Sequence, residues 1–294
     1  MAKIIVSGAT GLLGRALFTH LTPTHQVTGL GFSRAQAPIV KVDLFDKEAI
    51  STLFATHQPD FFIHSAAERN PDKFDNDPEQ SIQFNCAVTE HIAKCCEQFT
   101  CKLIFISTDY VFDGRNPPYA EDAEVNPLNL YGQSKARSEA VLQAHYPSAA
   151  IVRIPVLYGE VGYLGESAVT VIAEQLQNGV THFDNECQRF PTDTADIANA
   201  LAGAITTLGS ELEGIYHLSA QERLTKLDMA KAMAPLLDLD ANTLSPAPVA
   251  AANNAATRPL NCALKDTRLA LHGIEINNDF AKRITEVLTP HLSQ

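Results

Sequence analysis

Lys3-Ile4-Ile5-Val6-Ser7-Gly8-Ala9-Thr10-Gly11-Leu12-Leu13-Gly14-Arg15 decides the fold. A short apolar run rich in β-branched residues enters a turn holding three glycines, and a helical pattern follows. Residues without a Cβ let backbone N–H groups approach a pyrophosphate, whose charge then rests on the positive end of the helix. The spacing is G-x-x-G-x-x-G, not the G-x-G-x-x-G of the general dinucleotide fingerprint. By itself the triplet also fits an ordinary tight turn. At the start of a strand–helix–strand unit it predicts a nucleotide cradle running from Gly8 through Gly11, Leu12 and Leu13 to Gly14.

Outward from that turn, apolar runs at 3–6, 26–30, 60–64, 102–107 and 150–156 predict strands, several of them apolar throughout, as burial on both faces requires. Helical periods at 12–21, 47–56, 78–98 and 127–144 alternate with them. This alternation implies right-handed crossovers and a Rossmann-type doubly wound parallel α/β sheet. After Gly159 the rhythm changes. Helices are expected at 167–177, 194–207 and 225–237, the last with Thr225 as N-cap. A strand is expected at 214–219, a loop or short strand at 182–191, and a loop or linker at 245–254. The expected division is a first domain over 1–158, which carries the nucleotide cradle, with 192–220 returning to it, and a smaller mixed α/β lobe from 159–191 and 221–294.

Composition narrows the partners. The chain has 294 residues, 45% apolar and 19% charged, which suits a globular protein. Its 34 acidic against 22 basic residues leave a net charge of −12, which argues against nucleic acid or an anionic membrane as partner. No apolar run approaches the roughly 18 residues of a membrane span. The N-terminal run is too short for a signal peptide, and the six cysteines lack framework spacing, so free thiols and a cytoplasmic location are expected.

An NAD site usually carries an acidic residue about 20 residues beyond the glycines, to bond the ribose 2′-OH. From Arg15 to Val42 there is none. Ser33 and Arg34 stand there instead, a hydroxyl and a guanidinium suited to a 2′-phosphate, and NADP(H) is the expected cofactor. Read blandly, Arg34 is a solvated loop arginine. Asp43, followed by Leu44, would either bond the adenine amino group or cap the next helix.

Tyr131 and Lys135, at i and i+4, share a helix face. A phenol that moves protons at a carbonyl needs a nearby cation, which favours phenolate and lowers its pKa. Such a pair alone also fits a helix surface. Thr108, closing an apolar strand where open α/β sheets bind ligands, supplies a hydroxyl for the same carbonyl. Thr108, Tyr131 and Lys135 are therefore the expected catalytic residues.

Ser107-Thr108-Asp109-Tyr110-Val111-Phe112-Asp113-Gly114 and the segment from Pro127 to Lys135 resemble the dTDP-4-dehydrorhamnose reductases of the extended short-chain dehydrogenase/reductase family. The likeness spans essentially the whole chain. A non-enzymatic branch, the regulatory β subunits of methionine adenosyltransferase, is similar at Ala66-Ala67-Glu68-Arg69, Asn116-Pro117-Pro118-Tyr119, 153–161, 166–171 and 188–192. The resemblance implies NADP(H) binding with Ala66 and Ala67 lining the cofactor and Lys135 holding the nicotinamide ribose. It implies a nucleotide-sugar lobe with Arg189, Pro191 and Arg258 at the substrate. Cys262-Ala263 depart from the serine and arginine usual there, and Lys265 interrupts the usual terminal Leu-Asp.

Other chemistries lack anchors. His91 and Cys95, with Cys96 and Cys101 nearby, have no C-x-x-C pairing and read as a core helix with buried thiols, so no metal is expected. No G-x-S-x-G, H-E-x-x-H or P-loop lysine is present. His64 reads as a packed histidine, and Asp109 and Asp113 as order-givers of the loop before the tyrosine helix. Two functions remain: an NADPH-dependent reductase of a 4-keto-6-deoxy nucleotide-sugar, or an NADP-binding regulatory subunit that retains the triad without turnover. The partners expected are the nucleotide-sugar, a second copy of the chain in a homodimer and, under the second reading, a methionine adenosyltransferase catalytic subunit.

Overall fold

A computed structural model describes residues 1–67, 82, 84–247, 258–277 and 279–292. Its main sheet has seven strands, all paired in parallel. In chain order these are β1 (Lys3–Ser7), β2 (Gln26–Gly31), β3 (Val40–Lys41), β4 (Phe61–His64), β5 (Lys102–Thr108), β6 (Ala150–Ile154) and a late strand, Gly214–His217. The late strand pairs with β6, so the sheet runs Gly214–His217, β6, β5, β4, β1, β2, β3. The order reverses between β1 and β4, where such sheets open a crevice at the strands' carboxyl ends.

Alternation along β1 shows why these runs are apolar throughout. Ile4 and Val6 pack under helix α1 (Leu12–Leu21), while Ile5 faces the opposite layer with Phe54, Phe62, Phe105 and Leu142. With helices on both faces, every position of a central strand is buried, and polar alternation disappears.

The first half matches its expected elements closely. Helix α2 is Lys47–His57. The expected 78–98 helix is α3 (Thr89–Gln98), entered through a π turn at Phe84–Val88, while 78–81 and 83 lie outside the described residues. Helix α4 (Leu130–His145) starts three residues later than expected because the Asn129 side chain caps it, accepting from Gly132 N at 2.9 Å. Sequence reading missed β3, a two-residue exposed strand too short to carry a period.

The second half adds a third apolar cluster built around Tyr158, Ile172, Phe183, Leu227, Met233, Phe280 and Ile284. The expected 167–177 helix begins only at Val171, because Ser167 Oγ accepts from Thr170 N at 2.9 Å and holds a turn there. Thr225 does cap its helix, Lys226–Met233, in a reciprocal box with Asp228. The expected linker is corrected at its start: Ser245–Ala247 is a strand, paired in parallel with His182–Asp184. Pro246 needs no N–H there because the sheet has only two strands. Residues 248–254 of that expected linker lie outside the described residues. Helix Phe280–Leu292 was not anticipated, although Phe280, Ile284, Val287 and Leu288 keep helical spacing and are buried.

Candidate active site

A cleft of about 1080 Å³ opens at the carboxyl ends of the strands. Its walls include Gly8, Gly11, Leu12, Leu13, Gly14, Ser33, Arg34, Asp43, Leu44, Ala66, Ala67, Thr108, Tyr131, Lys135 and Arg258. Segments as distant as the first turn and the fourth helix thus meet in one place. Glu68 and Arg69 of the motif after β4 lie outside the described residues.

The turn after β1 is shaped for close approach. Gly8 has φ +74°, and a Cβ there would stand 2.9 Å from the Ala66 backbone; at Gly14 a Cβ would meet Gly8 O at 2.0 Å. Helix α1 is therefore pressed onto its own turn. Its N-cap is Gly11, which has no side chain to satisfy the first N–H groups of the helix. Ser7 and His64 fix the turn from below: Ser7 Oγ is 2.8 Å from His64 Nδ1 and accepts from Ala66 N at 3.3 Å. His64 is buried, and burial, aided by the Lys135 charge, pushes its pKa down to about 3. It is a packed neutral histidine.

Asp43 resolves its two readings in part. Helix α2 is capped by Asp46, which accepts from Ala49 N at 2.9 Å, while Asp43 accepts from Phe45 N and stays on the cleft wall.

At the other end, Thr108 Oγ1 donates to Asp109 Oδ1 at 3.1 Å and accepts from Tyr110 N at 3.2 Å. Tyr131 stands edge-on to the Tyr110 ring, 6.3 Å between centroids. Lys135 is buried; its Nζ donates to Ile106 O at 2.7 Å and lies 4.4 Å from the Phe105 ring centroid. Burial pushes its pKa down to about 7, against the pull of Glu139. Two bonds hold the helix in register with its neighbours: Asn85 Nδ2 donates to Ser134 Oγ, and Ser138 Oγ to Asn85 O.

Two expectations change here. Asp113 orders the loop, accepting from Arg115 N, Tyr119 Oη and Asn126 Nδ2. Asp109, grouped with it, is instead a buried wall of the cleft, and burial pushes its pKa up to about 7 despite Arg189 and the Thr108 hydrogen bond. Its place beside Thr108 at the strand's end was the available signal. Arg189 and Pro191, expected at the substrate, are not cleft walls. Arg189 donates to the Gln188 and Pro259 carbonyls at 3.0 and 3.2 Å, and its charge interacts with those of Tyr110 and Asp109. Pro191 is buried. Cys262 is buried as well, its thiol 3.6 Å from Phe112 O. Sequence reading also missed Glu166, a cleft wall contributed by the second half and bonded to Arg15. The two are 151 positions apart, and no local pattern joins them.

The doubly wound sheet, the glycine turn at its switch point and the Tyr-x-x-x-Lys helix define a Rossmann-type α/β protein. Residues 2–292 match the RmlD substrate binding domain, and the chain belongs to that family, an extended short-chain dehydrogenase/reductase group. It is 40% identical to methionine adenosyltransferase 2 subunit beta of Danio rerio over 294 residues, covering 98% of this chain and 90% of that one. It is 27% identical to dTDP-4-dehydrorhamnose reductase of Mycolicibacterium smegmatis, covering 97% and 85%. Among solved structures, dTDP-4-dehydrorhamnose reductase of Bacillus anthracis in complex with NADP superposes with a TM-score of 0.84 at 23% identity, covering 98% of this chain and 99% of that one.

Proposed function

We propose that the chain is an NADPH-dependent reductase acting on the C4 carbonyl of a 4-keto-6-deoxy nucleotide-sugar. The observation that carries this reading is that Thr108, Tyr131 and Lys135 line the same cleft as the glycine turn. The residues fit the cofactor: Gly8 and Gly14 let the turn pack against Ala66 and helix α1 pack against the turn more closely than any Cβ would allow, and the α1 N-terminus so placed presents N–H groups to a pyrophosphate. In this reading Ser33 and Arg34 take the 2′-phosphate and Asp43 and Leu44 the adenine, while Ala66 and Ala67 line the same cleft.

When bound, NADPH supplies the hydride that reduces the carbonyl. Tyr131 gives its phenolic proton to the resulting oxygen as general acid. Thr108 swings its hydroxyl from Asp109 to that oxygen and polarises it. Lys135, anchored on Ile106 O, lowers the phenol's pKa when charged and holds the nicotinamide ribose. Arg258 reaches the cleft and binds the nucleotide-sugar's anionic part, while Arg189 acts through its charge on Asp109. Residues 1–158 with 192–220 form the cofactor domain, 159–191 and 221–294 the substrate lobe, and the protein works in the cytoplasm as a homodimer.

Likeness over nearly the full length to methionine adenosyltransferase 2 subunit beta favours a second reading, an NADP(H)-binding regulatory subunit of a methionine adenosyltransferase. Purified protein given NADPH and dTDP-4-dehydrorhamnose separates the two. Loss of nicotinamide absorbance supports the reductase. No oxidation, together with co-purification of a methionine adenosyltransferase, supports the subunit.

A further inference from the structure

Arg34, the residue expected to recognise a 2′-phosphate, already faces an anion from this chain. Its Nη1 lies 3.4 Å from Glu166 Oε1. The same carboxylate takes two bonds of 2.7 Å from Arg15 and one of 2.9 Å from Gly162 N. Arg15 follows the glycine turn and also donates to Thr10 O at 3.1 Å, whereas Glu166 belongs to the segment that closes the cleft from the second half.

The partners of Glu166 are unequal. Its own side chain is 3% exposed; that of Arg15 is 37% exposed and bound in a two-pronged fork, which is the strong geometry for a guanidinium and a carboxylate. The Arg34 side chain is 57% exposed and makes one longer contact. Arg15 is thus the fixed partner and Arg34 the exchangeable one.

We propose that Glu166 is a specificity-determining residue, an internal counter-anion that competes with the 2′-phosphate for Arg34 and so limits how strongly the chain prefers NADP(H) to NAD(H). The inference rests on the cofactor reading above. A 2′-phosphate must draw Arg34 away from Glu166. A 2′-hydroxyl, with no charge to pair, makes no such demand. Removing the charge while keeping the shape should therefore strengthen NADPH binding and leave NADH binding nearly unchanged.

The test is the dissociation constant of each dinucleotide, followed by nicotinamide fluorescence, for wild type, Glu166→Gln, Arg34→Ala and the double variant, with thermal melting to confirm folding. Glu166→Gln should tighten NADPH about two- to fivefold, the range of an exposed pair, with NADH within a factor of two. In the Arg34→Ala background the same substitution should leave the ratio of the two constants unmoved. Equal weakening of both dinucleotides, which a purely structural clamp to Arg15 would give, overturns the proposal. So does a gain for NADPH that survives without Arg34. Wild type that binds neither dinucleotide overturns the cofactor reading itself and this inference with it.

Discussion

Arg153 on β6 and Glu139 on α4 form an ion pair of 2.7 Å with both side chains 2% exposed. Arg153 Nε adds bonds of 3.1 and 3.2 Å to the two Glu139 oxygens, and Ser107 Oγ on β5 donates to the same carboxylate. The pair therefore ties the helix of Tyr131 and Lys135 to β6, and the Ser107 bond ties it to the strand that ends in Thr108. A buried pair adds little over an apolar replacement of both members, but removing one leaves a stranded charge. Glu139→Ala should cost about 3–5 kcal/mol in urea unfolding. The double replacement Glu139→Leu with Arg153→Met should recover most of it. A loss below about 1 kcal/mol for the single variant would show that the charge relaxes into water.

Gly132, beside Tyr131, is needed for spacing. A Cβ there would stand 2.2 Å from Tyr110 O and 3.0 Å from Pro127 Cβ. Gly132→Ala must push the first turn of α4 away from the end of β5. The fold should lose about 1–3 kcal/mol. Turnover should fall far more, since about 1 Å of misplacement can cost 10²-fold. NADPH affinity, set mainly by the distant glycine turn, should stay within a few-fold. An equal fall in affinity and turnover would mean that the whole cleft, not Tyr131 alone, has moved.

How far the sequence was legible follows the range of the forces involved. The strands were readable because burial on both faces leaves runs such as Ile4-Ile5-Val6 and Phe61-Phe62-Ile63 wholly apolar. The cleft was largely readable because its walls at Gly8, Ala66 and Thr108 sit at or just beyond strand ends, where topology decides what converges, and Tyr131 and Lys135 share one helix face. Helix Phe280–Leu292 was legible but unread. What could not be read was long-range or compensated: Ser245–Ala247 pairs through a proline in a two-stranded sheet, and Glu166 meets Arg15 only after the second half folds over the first. Arg189, expected at a substrate anion, is not among the cleft walls, and its Nη1 donates to the carbonyl oxygens of Gln188 and Pro259, the latter a contact across 70 positions that no local pattern carries.

Tyr131→Phe keeps the ring that packs on Tyr110 and removes only the proton donor. Turnover of a nucleotide-sugar ketone should fall about 10²- to 10⁴-fold, the range of general acid catalysis, with NADPH affinity unchanged. Thr108→Val should lower turnover less. Near-normal rates for Tyr131→Phe would remove it from the chemistry.

The buried histidines make stability depend on pH in a way that variants can isolate. Burial, with Lys135 adding to it, pushes His64 down to about 3, and burial with Arg153 nearby pushes His217 to about 4. Below about 6.5 the unfolded chain takes up protons at these rings while the folded chain does not. Stability contributed by each neutral ring is therefore present above that pH and lost as pH falls, at about 1.4 kcal/mol per pH unit, until the folded pKa is reached. Asp109 works the other way. Pushed up to about 7, its carboxyl holds a proton in the fold that the unfolded chain releases, so its contribution fades as pH rises through the same window. The net curve mixes both signs, and the informative quantity is the difference between proteins. His64→Asn retains a polar atom near the Ser7 hydroxyl that sits 2.8 Å from Nδ1 and removes the titration. Between pH 6.5 and 4 its unfolding free energy should fall with acid about 1.4 kcal/mol per pH unit less steeply than that of the wild type. Parallel curves would mean that His64 takes up its proton in the folded protein as readily as in water, and that the Ser7 contact beneath the glycine turn opens to let it.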